Sequence, residues 1–159
     1  MRYLSATLII VATALWLGGL AALFAFAPAV FNAFGEDRQT AGRATSAMFR
    51  VFASYQLVLA AMALIGAFLG YLQGRRGLLV ALFALFAAGA IGAVVNHMYM
   101  VPRLEELRIA GESHSDVFRK LHGYSMILSL GIAGVTLIAA VLVPGVCRTL
   151  LAPKSPGNS

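Results

Sequence analysis

The side chains best equipped for chemistry lie close together. His97, His114 and His122, all the histidines of the chain, fall within residues 94–125, together with Glu105, Glu106 and Arg108. Imidazoles at the ends of two adjacent apolar runs can supply both axial ligands of a haem inside a four-helix bundle, so His97 and His122 define a haem-binding redox reading of the chain. The sequence offers that reading little else. It has no C-x-x-C-H attachment motif and no H-x-x-x-H pair, and Cys147 is the single cysteine, so no zinc ligand set can be assembled. Glu105 and Glu106 would need a nucleophile or an oriented base beside them to work as an acid and base pair. Neither is in evidence, and a solvated helix face is expected for Glu105, Glu106 and Arg108. His114, in Glu112-Ser113-His114-Ser115-Asp116, reads as a loop residue. No catalytic and no metal-binding residue is assigned.

A second constellation is uncharged. Asn32, Gln56, Asn96 and His122 each sit near one end of a different apolar run. Measured inward from the nearest charged residue at about 1.5 Å per residue, their depths fall within about 7 Å of one another. Polar groups at that level in a membrane are costly unless they face the bundle interior or a wet cavity. Two readings follow. The groups bond across helices and fix the packing, or they line a small pocket that opens toward Arg50, Arg103 and Arg119 and favours a polar or anionic ligand. The candidate ligand-binding set is Asn32, Arg50, Gln56, Asn96, His97, Arg103, His122 and Ser125. His97, one position from Asn96, is turned about 100° away and is expected nearer the membrane interface.

The elements that must position these groups are membrane spans. Of the 159 residues, 60% are hydrophobic and 11% charged, which is too little polar surface to solvate a globule of this size. The net charge of +6 sits at the ends of apolar runs and forms no continuous stripe, which points to membrane anchoring and away from nucleic acid. Four runs are long enough to cross a bilayer, and the spacing predicts helices over 4–34, 45–73, 77–101 and 119–147 within a single domain, 1–152. Residues 153–159 read as a disordered tail. Ala25-Phe26-Ala27 imitates a signal-peptidase site, but Pro28 directly after it and the length of the apolar run favour a retained first helix.

The fold class expected is therefore all-α, an integral membrane four-helix bundle with helical extensions on one side. Asp37 is the candidate cap of the second helix, Gly111 the stop of the third and Ser115 the cap of the fourth. That end is a collar, and the opposite end is blunt and basic, with Arg2, Arg75, Arg76, Arg148 and Lys154. An even number of spans puts both termini together, and they are expected in the cytoplasm, with the chain in the cell membrane. Close backbone approach drives helix association in lipid, so Gly18, Gly66, Gly70, Gly74, Gly89 and Gly92 are the expected packing glycines. The expected stripes are Gly18-Ala22-Ala25-Ala29-Asn32 on the first helix and Gln56-Ala60-Ala63-Ala67-Gly70 on the second. Trp16 is expected in packing or toward lipid.

Several short motifs are shared with a known family. Trp16-Leu17-Gly18-Gly19 with Pro28 and Phe31, Ala41-Gly42-Arg43, Val101-Pro102-Arg103-Leu104 with Leu107-Arg108, and Phe118-x-x-Leu121-His122-Gly123-x-Ser125 resemble the bacterial members of the transmembrane protein 205-like family. The resemblance covers nearly the whole chain and implies a four-span membrane domain of unassigned function. The chain departs from the pattern at Ser129, where an asparagine is expected. The function anticipated is a non-enzymatic membrane protein that binds or passes a small polar ligand or scaffolds other membrane components, with no cofactor. Its partners would be the lipid bilayer and that ligand, and its oligomeric state is left open.

Overall fold

The computed structural model describes residues 1–73 and 77–152. Its helices are α1 (Arg2–Phe34), α2 (Arg38–Tyr71), α3 (Gly77–Val95), α4 (Val101–Ile109) and α5 (Asp116–Leu151), with a π-helical segment, Asn96–Met100, joining α3 to α4. The stretch Gly77–Ile109 runs as one rod, so the described residues form four rods of 33 to 36 residues, each apolar enough to cross a membrane. At 1.5 Å per residue each is roughly 50 Å long, well over the roughly 30 Å of a hydrocarbon core, so all four project beyond it. The protein is an all-α, multi-pass membrane helical bundle.

Local chemistry sets the helix ends at the collar. The Asp37 carboxylate accepts from the Thr40 backbone N–H at 3.0 Å and starts α2. At the end of α4, Gly111 takes φ +77, the Glu112 N–H reaches the Leu107 carbonyl at 2.8 Å and the Gly111 N–H reaches that of Arg108 at 3.1 Å. This is the paired bonding of a Schellman stop, and it needs a residue that tolerates positive φ. Ser115 then caps α5 by accepting from the Phe118 N–H at 3.1 Å. At the blunt end, an Arg2 guanidinium N–H donates to the Ala152 carbonyl at 3.3 Å and ties the start of α1 to the end of α5. The expectations for Gly74, for the Arg75-Arg76 turn and for the tail at 153–159 fall outside the described residues.

The π segment has a cause in the sequence. Pro102 has no N–H to return to the Met98 carbonyl and its ring presses on that carbonyl, which opposes a regular turn just before it. The chain widens there instead, and the Val101 N–H bonds to the Asn96 carbonyl, five residues back. The extra residue re-aims everything on α4 relative to α3.

Around the bundle, α1 packs on α2 and α5, and α3 packs on the same two helices, which leaves α1 and α3 diagonally opposed. Trp16 closes that diagonal. It is fully buried, and a Cβ built on Gly89 of α3 would meet its indole at 3.2 Å. Gly66 lies against the α1 backbone, where a Cβ would sit 3.0 Å from Leu8 Cβ and 3.1 Å from the Ile9 nitrogen. The Ser5 hydroxyl donates to the Gly66 carbonyl at 2.7 Å across the same contact. Gly70 faces Leu79 and Ser5, and Gly92 faces Ile132.

On α1 the expected stripe is corrected. Gly18 is exposed with nothing within 4 Å of a built Cβ, and Ala25, Ala29 and Asn32 are exposed as well. The packing glycine is its neighbour Gly19, which lies under the Phe52 ring, and the inward face runs through Ser5, Ile9, Ala12, Trp16, Leu20 and Leu23. Because α1 is apolar on every side, small residues alone could not identify the face. Trp16, buried against Gly89, marks that face.

Candidate functional site

Three of the four rods contribute polar side chains to one seam in the collar half of the bundle, and α1 closes it with apolar ones. Gln56, on the buried stripe of α2 with Ala60, Ala63 and Ala67, is 1% exposed, and Asn96, the first residue of the π segment, is 4% exposed. The Ser125 hydroxyl of α5 donates to Asn96 Oδ1 at 3.2 Å, and one turn on, the Ser129 hydroxyl donates to the Ser125 carbonyl at 2.8 Å. Gln56, Asn96 and Ser129 line a cavity of about 10 Å³ whose other walls are Leu20, Leu23 and Phe24 of α1 and Phe49 and Phe52 of α2. Gln56 Oε1 is buried without a hydrogen-bond partner. Amides and hydroxyls do not ionise in the physiological range, so the seam can donate and accept hydrogen bonds, while no lining side chain is a ready proton carrier.

The structure thus brings together Gln56, Asn96 and Ser125 from the predicted set and adds Ser129. It does not bring in the rest. Asn32 is exposed on the outward face of α1, and His122 is exposed, its ring stacked on Phe118 at 6.0 Å and 7°. His97 is part-buried beside Asn96, with Nδ1 buried and unpartnered. No group of three or more His, Cys, Asp or Glu side chains among the described residues is placed to hold a metal ion. The haem reading gains nothing from this geometry: His97 is part-buried, whereas His122 is exposed on the collar end of α5. Trp16 Nε1, at the bundle centre, is a further buried polar atom without a partner.

Nor do the arginines form an anion-attracting mouth. Arg103 pairs with Glu106 at 2.7 Å on the exposed face of α4, and Arg119 pairs with Asp116. Arg50 donates to Glu105 Oε1 at 3.3 Å. Glu105 and Arg108 correct a second expectation: they are part-buried at the α2–α4 junction rather than on a solvated face. Glu105 Oε2 accepts from Ser46 at 3.0 Å and from Arg108 at 3.0 Å, Arg108 also bonds to the Ser46 hydroxyl, and its guanidinium lies 5.7 Å from the Phe118 ring centroid. The chain Ser46, Glu105, Arg108, Phe118, His122 thereby locks α2, α4 and α5 together at the collar. The available signal was spacing: Ser46 and Arg50 share one face of α2 as i, i+4, and Glu105 and Arg108 one face of α4 as i, i+3.

A family model described as a domain of unknown function, DUF4149, matches residues 11–113. No curated protein and no solved structure matches the chain. The matched stretch holds Gln56, Asn96, Ser46, Glu105 and Arg108 and stops short of α5, with Phe118, His122, Ser125 and Ser129.

Proposed function

The chain belongs to the DUF4149 family, a domain of unknown function, and from that premise we propose that it is a non-enzymatic membrane protein that holds a small polar ligand in the seam between Gln56, Asn96 and Ser129. One observation carries the reading: Gln56 Oε1 is a buried acceptor with no partner, on a side chain that lines a cavity together with two further polar side chains. A network that served packing alone would close on itself, since an unmade hydrogen bond in a buried site costs about 1–3 kcal/mol. Polar residues within membrane spans commonly mark ligand and ion pathways, and π-helical turns are frequent at functional sites. The absence of an ionisable group among the cavity-lining side chains favours binding or passage over catalysis. The narrower placement, in the transmembrane protein 205-like family, rests on the motifs around Trp16, Pro102 and His122. The setting that goes with this reading is the cell membrane with both termini in the cytoplasm.

The experiment is native mass spectrometry of the full chain released from detergent, screened against added small polar molecules. A reproducible low-mass adduct is expected. A chain that carries only lipid across preparations contradicts the proposal.

A further inference from the structure

We infer that the resting occupant of the seam is a single uncharged hydrogen-bond donor of water's size, water itself, donating to Gln56 Oε1 between Asn96 and Ser129, and that the seam is not an anion site. The inference deepens the reading above and takes from it only the location. Three features of the seam carry it. First, the unpartnered atom is an acceptor, and the side chain bearing it is 1% exposed, so whatever satisfies it must be a donor that enters the bundle. Second, the cavity is about 10 Å³, the room needed by roughly one water. Third, a buried water needs two to four polar partners, and the walls supply them. Asn96 Oδ1 accepts one bond from Ser125 and has a lone pair to spare, and the Ser129 oxygen, whose proton goes to the Ser125 carbonyl, remains free to accept.

Charge argues the same way. An anion could accept from the Gln56 and Asn96 amide nitrogens, but it would set its negative charge beside the unpartnered Gln56 carbonyl oxygen and that of Asn96. The three arginines expected at the collar mouth are engaged elsewhere, Arg50 with Glu105, Arg103 with Glu106 and Arg119 with Asp116. A cation would meet leucine and phenylalanine on the remaining sides, with no carboxylate among the lining side chains. A neutral donor has neither difficulty.

The test is water-edited solid-state NMR on the full chain in phosphatidylcholine bilayers with carbon-13 glutamine. The Gln56 side-chain signal is identified by its loss in Gln56→Leu. Magnetisation is expected to pass from water to the buried Gln56 carbonyl as readily as to that of the exposed Gln39, and Ser129→Leu, which fills the cavity, is expected to remove the transfer at Gln56 alone. Sodium formate is expected to leave the Gln56 signal in place. No transfer at Gln56 in the unsubstituted chain overturns the inference, and so does a saturable formate shift. The second result would leave the ligand-binding proposal standing with an anionic ligand, whereas water transfer without any low-mass adduct would remove that proposal and keep the inference.

Discussion

At the scale of single residues, helix association here depends on which glycines another backbone approaches. Gly66 meets the α1 main chain at Ile9, which cannot move aside, whereas Gly70 meets the ends of Leu79 and Ser5, which can. Gly66→Ala is therefore expected to cost about 1–3 kcal/mol, in the range of other overpacked contacts, and Gly70→Ala less. Gly18→Ala, with open space around it, is expected to be neutral or to gain up to about 1 kcal/mol from helix propensity. Melting of the detergent-solubilised variants checks the order, and equal losses at Gly18 and Gly66 would contradict the α1–α2 contact. The sequence made Gly66 legible because α2 carries a polar residue and a small-residue stripe on one side. It could not separate Gly18 from Gly19, since one residue is about 100° of rotation and α1 offers no polar face for contrast.

At the scale of elements, the helix ends were legible because capping is local: Asp37, Gly111 and Ser115 each act within a few residues. The Asp37 carboxyl is held below its ordinary range, chiefly by hydrogen bonding to Thr40. A depressed folded value means that the cap is fully present above the ordinary aspartate range and is lost as pH falls through the lowered value. The Thr40 amide shift should accordingly titrate below the ordinary aspartate range, and a Thr40 amide that does not respond, or responds only at the ordinary aspartate value, would show that the cap is not formed. The Glu105 cluster was not legible, because Ser46 and Glu105 are 59 positions apart and their meeting depends on the turn inserted before Pro102. Pro102→Ala restores an N–H for the Met98 carbonyl and removes the reason for the π segment. Reversion to a regular turn rotates Asn96 by about 100° relative to Glu105, and because Asn96 is the more deeply buried of the two, the Ser46–Glu105 bond is the one expected to break. A disulfide between cysteines placed at 46 and 105 should form efficiently with Pro102 and poorly with alanine. Equal efficiency would separate the π segment from the collar.

At the scale of the whole molecule, the charges divide the bundle into an ion-paired collar and a basic blunt end where Arg2 meets Ala152. On the proposed topology, with both termini cytoplasmic, impermeant thiol reagents should not label Cys147 in intact cells. Since Cys147 is part-buried, the control is Arg148→Cys in a Cys147→Ser background, at an exposed position of the same turn. Labelling of that cysteine from outside would invert the topology. The central claim, that Gln56 is kept to hold a ligand rather than to hold the bundle, is tested most directly by native mass spectrometry and melting of one variant, Gln56→Leu. The account predicts that the low-mass adduct disappears while the melting temperature stays within a few degrees of the parent chain, the size of a change near 1 kcal/mol. An adduct that survives the substitution, with a bundle that melts far lower, would contradict it.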